Sequence, residues 1–259
     1  MDNSPLVSII TVVYNGEKTI RQNMDSVLAQ SYENIEHIII DGDSTDKTVK
    51  IIDGYGEKIS SFISEPDEGI YDAMNKGLRL AQGKFICILN ADDYYLPRAI
   101  ELSMKKIKET QSDYSFANVK YVDSNSMICP IYPLEENLIY QEMPYPHVSA
   151  VISKNIYDEV GFFDTNFKIA GDHDMAVRIH LNNYKYCYVN EVIAELEMGG
   201  ISSSNESNKE SLSVAIKNGK SRMGAYGTYY KQLIKVYIVK LLPKKMVKTL
   251  LKVKGSRFQ

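Results

Sequence analysis

Residues 64–93, SEPDEGIYDAMNKGLRLAQGKFICILNADD, decide the fold. Between Asp67 and Gly83, Ile70, Met74, Leu78 and Ala81 recur at three- and four-residue steps, which gives a helix one apolar face. Phe85 to Leu89 is an unbroken apolar run, too short for a second helix and suited to a strand covered on both faces. That strand carries Asn90, Asp92 and Asp93 to its C-terminal end, the edge at which open parallel sheets bind ligands. Two adjacent carboxylates beside an amide can share a divalent cation, with water and phosphate oxygens completing its shell, and magnesium and manganese favour such sites. The same aspartates could instead cap the helix expected from Leu96-Pro97-Arg98. Spacing alone leaves both readings open.

Working back towards the N-terminus, Leu6 to Val13 (LVSIITVV) is a β-branched run without a period, as expected of a central parallel strand. Tyr14-Asn15-Gly16 breaks it, and Glu17 to Gln30 carries Ile20, Met24, Val27 and Leu28 at helical spacing. Ile35 to Ile40 is a second strand, and Thr45 or Asp46 would cap a helix over Lys47 to Tyr55. Ile59 to Ile63 is a third strand. Strands alternating with helices predict right-handed βαβ units and an α/β fold. Polar residues then gather at four strand ends: Tyr14 and Asn15, Asp41 and Asp43, Glu65 and Asp67, and Asn90 to Asp93. Together they outline a binding crevice. Neither GxGxxG nor GxxxxGK[ST] occurs, so neither a dinucleotide fold nor a P-loop is indicated, and an anionic ligand would be held through a metal and basic groups.

Downstream, Asp113 to Val119 and Tyr121 to Ile131 read as strands around an Asp123-Ser124-Asn125 turn. Leu134 to Pro146 reads as a loop over the cleft, His147 to Ser153 as a strand and Lys154 to Val160 as a helix closed by Gly161. A further helix runs from Met175 to Leu181. At 259 residues, 44% hydrophobic and 24% charged, the chain suits one large globular α/β domain, or one domain with an appendage. No run approaches the roughly 20 apolar residues of a membrane span, and MDNSPLVSI lacks a basic region leading into an apolar one. Cys87, Cys129 and Cys187 are too scattered for a disulfide framework or a zinc cluster, so a cytoplasmic location with reduced thiols is expected.

The blocks VSIITVVYNGEKTI, IIIDGDSTDKT, EPDEGIYDAMNKG and ICILNADD stand in this order. The combination resembles the family 2 inverting glycosyltransferases of GT-A fold over roughly residues 6 to 200. Its flavour is that of bacterial enzymes building capsule, O-antigen and exopolysaccharide units, where EPDxGIYDAMNKG and a late GGIS recur. The resemblance implies a Rossmann-like, mostly parallel sheet flanked by helices, and a nucleotide-sugar donor, expected to be a UDP-sugar. Thr11, Tyr14, Asn15 and Asp41 would hold its base and ribose, with Asp67 beside them. Asn90-Ala91-Asp92 stands at the family's DxD motif, with Asn90 where many members have Asp, and Asp92 with Asp93 would bind Mn²⁺ or Mg²⁺.

Inverting transfer needs a general base for the acceptor hydroxyl. The family places it in an acidic pair followed by Asp-x-x-x-Arg, which Asp172, Asp174 and Arg178 match, with Gly171 where many relatives have Glu. Asp172 is thus the expected base, while Asp174, Arg178 and His147 would line the acceptor side. Asp172 could also be an ordinary first-turn carboxylate, and Asp174 with Arg178 an i, i+4 ion pair. Two other functions stay open: transfer to a polyprenyl phosphate, and a degenerate glycan-binding or scaffolding member, for which Asn90 and Gly171 speak.

Net charge is −3, unevenly spread. Thr228 to Gln259 holds nine Lys or Arg and no Asp or Glu, which leaves 21 basic against 33 acidic residues, a net of −12, for Met1 to Gly227. An acidic body repels nucleic acid. The expected layout is a catalytic domain over residues 1–200, a flexible segment and helix over 201–227 and a basic amphipathic tail over 228–259. Such a tail is drawn to anionic lipid at the inner membrane surface, which fits a peripheral enzyme with a lipid-linked glycan acceptor. Alternatively it packs on the body or on a second subunit as a homodimer.

Overall fold

The computed structural model describes residues 4–122, 127–197 and 205–241. The first half is four parallel strands and the helices between them: β1 (Val7–Val13), α1 (Ile20–Leu28), β2 (Ile35–Asp41), α2 (Thr48–Asp53), β3 (Ser61–Ser64), α3 (Ile70–Leu80) and β4 (Phe85–Asn90). The second half follows with β5 (Tyr94–Tyr95), α4 (Ala99–Thr110), β6 (Tyr114–Tyr121), β7 (Met127–Ile128), α5 (Glu136–Ile139), β8 (Val151–Ser153) and α6 (Lys154–Val160). It closes with α7 (Gly171–Leu181), β9 (Tyr186–Leu196), α8 (Asn205–Lys217) and α9 (Arg222–Leu241).

The described strands form one sheet in the order β3-β2-β1-β4-β8-β6-β9-β5, with β7 pairing to β6. β3, β2, β1 and β4 run parallel, as do β6 and β9, whereas β8 joins the two halves through antiparallel pairs to β4 and β6. The register aligns the four expected strand ends: Val13 pairs with Asp41, Asp41 with Ser64 and Val12 with Asn90. This is the α/β sheet that the alternating pattern implied.

All seven residues of β1 are buried. Its even positions Ile10 and Val12 pack with Ile38, Ile86 and Ile88 under Met74 and Leu78 of α3. Val7 and Ile9 face the other way with Cys87 and Leu89, under Ile100 and Met104 of α4. Val13 joins Ile20 and Met24 of α1. A strand buried on both faces needs no polar alternation, which is why these runs read as unbroken apolar stretches.

Several local expectations change. The helix after β2 is shorter than Lys47 to Tyr55, ending at Asp53 before a 3₁₀ turn over Gly56–Lys58, so β3 starts only at Ser61. Asp46 does serve that helix, its Oδ1 accepting the Thr48 backbone N–H at 2.9 Å. Asp92 and Asp93 cap no helix, because β5 intervenes and α4 begins at Ala99. His147 opens no strand: His147–Ser149 is a 3₁₀ turn in which the Ser149 amide returns to the Pro146 carbonyl, and β8 starts at Val151. The Leu134–Pro146 loop contains α5. The helix expected from Met175 begins at Gly171, and α9 runs across the boundary expected at residue 228. The Asp123-Ser124-Asn125 turn, the Gly199–Ser202 segment and the tail beyond Leu241 lie outside the described residues.

Candidate active site

Three loops meet at the C-terminal edge of β1, β2 and β3. Tyr14 is 64% exposed. Asn15, in the left-handed region at φ 51°, donates its amide to Ser44 Oγ at 2.7 Å and accepts the Thr45 amide at 2.9 Å. Asp67 accepts the Gly69 N–H at 2.8 Å, and its Oδ2 lies so close to Gly42 that a Cβ there would fall 2.4 Å away; the Tyr14 ring stands 3.6 Å from the same point. Tyr14 and Asp67 therefore meet over Gly42, with Asn15 beside them on the same edge.

Two residues expected in that crevice are withdrawn from it. Asp41 is fully buried, its carboxylate accepting the Ser44 amide and hydroxyl and the Ser64 hydroxyl. Buried carboxylates are kept by such donors, and these leave it none of the freedom needed to meet a ribose. Thr11 is also fully buried, because its place in β1 turns the side chain towards α1. Its hydroxyl lies 3.0 Å from Asn23 Oδ1 and 2.9 Å from His37 Nε2.

That contact belongs to a chain that ends at the acidic turn. Asn23 Nδ2 donates to the backbone carbonyls of Asn90 and Asp93, each at 2.9 Å. Both partners are pure acceptors, so the amide nitrogen must face them and Oδ1 must face Thr11. Thr11 then donates to Asn23 and accepts from His37 Nε2–H, leaving His37 Nδ1 bare; that atom is buried without a partner. Burial pushes the His37 pKa down to about 3, so the ring is neutral. Sequence reading passed over Asn23. Its signal was a polar residue on the apolar face formed by Ile20, Met24 and Val27.

At the turn itself Asp92 is exposed, Ala91 buried and Asp93 6% exposed. Burial, and then the charge of Asp92, raise the Asp93 pKa to about 8. Asn90 Oδ1 is buried without a hydrogen-bond donor. No salt bridge reaches Asp92 or Asp93, and no cluster of three His, Cys, Asp or Glu able to hold a metal occurs, among the described residues. Two neighbouring carboxylates and an orphaned amide oxygen fit a divalent cation whose other ligands are water and a diphosphate.

Asp172 reaches the same edge from the second half. α3 follows β3 and therefore starts at the strands' C-terminal ends, and the hydroxyl of Tyr71 in its first turn lies 2.7 Å from the Ile169 carbonyl and 3.3 Å from Asp172 Oδ1. Asn75, one turn on, exchanges two 2.9 Å hydrogen bonds with the Phe163 backbone, and Tyr71 stacks on the Phe163 ring at 5.7 Å. Gly171 has its own reason: a Cβ there would sit 2.7 Å from the Tyr71 ring, so no side chain fits while Tyr71 stays in place. A cavity of about 290 Å³ opens beside Tyr71, lined also by Ile70, Phe167, Lys168 and Asp72.

His147 meets the Phe163 ring edge-on at 6.1 Å, and its Nε2 is buried without a partner. Burial lowers its pKa, opposed by the nearby charge of Asp172. Asp174 and Arg178 are engaged in the framework. Arg178 Nε donates to Asp174 at 2.9 Å while its other nitrogens donate to the carbonyls of Val160, Gly161 and Phe162. Asp174, fully buried, also takes Lys217 Nζ at 3.0 Å and Asn218 Nδ2 at 2.9 Å from the far side. That network satisfies both residues internally.

Residues 8–167 match the family described as Glycosyl transferase family 2. The chain belongs to this family. Asp172 and everything after it lie beyond the matched stretch. Among curated relatives, an uncharacterized glycosyltransferase of Rickettsia prowazekii is 30% identical over 190 residues, 66% of this chain and 58% of that protein. An Escherichia coli protein, UDP-Glc:alpha-D-GlcNAc-diphosphoundecaprenol beta-1,3-glucosyltransferase WfgD, is 32% identical over 124 residues, 48% of this chain and 49% of its own. These matches span only about half of each relative. Among solved structures, Staphylococcus aureus TarS (residues 1–349) with UDP-GlcNAc aligns at TM-score 0.69 and 19% identity, covering 88% of this chain and 71% of that one. A Pyrobaculum calidifontis mannosyltransferase with GDP-Man and Mn²⁺ aligns at 0.65 and 17%, covering 98% and 81%. At such identities the likeness is one of fold.

Proposed function

We propose that this family 2 protein is an inverting glycosyltransferase that moves a sugar from a nucleotide-sugar, a UDP-sugar first, to a lipid-linked glycan, with the help of a divalent cation. The observation that carries the reading is the meeting, at one sheet edge, of an open aromatic crevice, a cation-fit acidic turn and a carboxylate on a helix start. Tyr14 and Asn15, with Asp67, receive the base and ribose. Asp92 and Asp93, with Asn90 Oδ1, hold the cation, which when bound neutralises charge on the leaving diphosphate. Asp172 Oδ takes the proton of the acceptor hydroxyl as that oxygen bonds to the anomeric carbon and the bond to the diphosphate breaks on the opposite face. Tyr71 orients Asp172 and walls the acceptor cavity, where an aromatic side and polar rim suit a sugar ring. His147 Nε2, poised beside them, can meet an acceptor hydroxyl.

The lipid-linked acceptor is supported by the E. coli relative's diphosphoundecaprenol substrate and by α9. Met223, Tyr226, Tyr230 and Ile234 form an exposed stripe at helical spacing, with Met223 87% exposed, ahead of the lysine-rich tail. No helix among the described residues is long and apolar enough to cross a membrane, whereas an apolar stripe beside basic residues suits the anionic surface of the cytoplasmic membrane face.

Calorimetric titration with UDP, with and without Mn²⁺, tests the donor site. Binding that requires Mn²⁺ and weakens at least about 100-fold in Asp92→Ala is expected, while Asp172→Asn binds UDP normally and loses transfer by roughly 10³-fold. No UDP binding in either condition overturns the UDP reading.

A further inference from the structure

α8 lies some forty residues beyond the family match and packs between α7 and α9. From it Glu210 reaches back to the start of the helix that carries Asp172. Its carboxylate accepts three consecutive backbone amides: Lys168 at 3.0 Å and, through Oε2, Ile169 at 2.8 Å and Ala170 at 2.8 Å. Ala170 is the residue on which α7 starts and has no polar side chain to cap that end, and within the helix Asp172 Oδ1 accepts the amide of His173 at 2.8 Å. Three amides converging on one anion, at the positive end of a helix dipole, form a strong and directional grip. About two turns of α8 further on, Lys217 bridges Asp164 at 2.8 Å and Asp174 at 3.0 Å, at either side of the same segment.

We infer that Glu210 is a positioning residue for the reaction: it caps the Asp172 helix from outside and fixes the stretch 168–172, on which the aim of the Asp172 carboxylate depends. Asp172 is held on one side by Tyr71, whose hydroxyl binds the Ile169 carbonyl, and on the other by Glu210, which binds the Ile169 amide. The same peptide segment is thus gripped from both directions. Misplacing a base by a fraction of an ångström lowers the rate of the proton-transfer step and leaves nucleotide binding, which is built on the β1 to β3 ends, untouched. The segment after the family match is in this way a working part of the active site and no mere appendage. α9 follows α8 directly, so whatever α9 lies on is mechanically joined to the base.

The inference rests on Asp172 acting as base, and its test separates the two. In the full-length protein, Glu210→Ala is compared with Glu210→Gln, which keeps one accepting oxygen, and with Lys209→Ala, an exposed neighbour. Amide hydrogen exchange at 168–170, Mn²⁺-dependent UDP affinity, and kcat and KM for a lipid-linked acceptor are read together. For Glu210→Ala, exchange at Ile169 and Ala170 quickens at least about tenfold and kcat falls at least about tenfold, with UDP affinity and acceptor KM within about twofold. Glu210→Gln falls between, and Lys209→Ala matches the parent. Unchanged exchange overturns the grip; quickened exchange with kcat within twofold, or a rise in acceptor KM alone, overturns the positioning role. If the parent protein transfers no sugar, the glycosyltransferase reading fails and exchange alone decides whether Glu210 holds the segment. Should Glu210→Ala fail to fold, Glu210→Gln carries the same readouts.

Discussion

Asp92 and Asp172 stand at the same edge of the sheet and are held there by different means. Asp92 follows β4, a strand whose register is set by six paired residues on β1 and whose turn is tied from below by Asn23. Asp172 follows a loop with no regular structure between Gly161 and Ala170, and its position comes from side chains outside that loop: Tyr71, Asn75 and Glu210, all distant in sequence, and Arg178 of α7 itself. The first site is carried by a backbone ladder and needs one amide to finish it. The second is assembled from long-range polar contacts, each of which can be removed singly.

That contrast can be broken at four places. Asp174→Ala should cost the most stability, about 3–5 kcal/mol in denaturant unfolding, because Arg178 and Lys217 lose their shared buried partner. If stability is instead unchanged and only acceptor KM rises, Asp174 belongs to the acceptor site and the contrast fails on that side. Asn23→Leu should cost about 2–3 kcal/mol and weaken Mn²⁺-dependent UDP binding roughly tenfold, since the carbonyls of Asn90 and Asp93 lose their common donor. A stability loss without any change in UDP binding would show that the ladder alone fixes the acidic turn.

Smaller effects refine the picture. The folded-state pKa of His37 lies below its unfolded value of about 6.5, so the unfolded chain takes up this proton first as pH falls. Its contribution is complete above pH 6.5 and is lost progressively towards pH 3, amounting to about 2 kcal/mol by pH 5. His37→Gln should lose correspondingly less stability between pH 7 and pH 5; an identical loss would exclude His37 as the source. Gly171→Ala should cost about 1–2 kcal/mol by crowding the Tyr71 ring. In a Tyr71→Leu background the same change should cost nearly nothing, and additive losses would mean the two positions are independent.

The same contrast governs what the sequence disclosed. The parallel half was legible because unbroken apolar runs, helical spacing and strand-end polar residues are local signals. Within it, Thr11 and Asp41 were misjudged for a reason of pleat and partner: Thr11 points under α1, and Asp41 is consumed by Ser44 and by Ser64, twenty-three residues on. In the second half Lys154–Val160 was legible through its Gly161 stop, since a residue at φ 83° ends a helix where glycine permits it. His147 was misread as strand because Pro146 and Ser149 close a turn that spacing does not announce. Glu210 left no local trace, as a single glutamate on a polar helix acquires meaning only through the amides it meets.

The hydrogen bonds from His37 through Thr11 and Asn23 all donate in one direction, outward from the sheet to the carbonyls beneath Asp92 and Asp93. Their bond dipoles therefore add, and neighbouring bonds in such a row polarise one another. The positive end of the sum lies at the acidic turn, in a buried setting where water does little to screen it. Without a single cationic side chain, the interior of the sheet thus supplies a fixed field that favours negative charge at the place where the diphosphate would gather it.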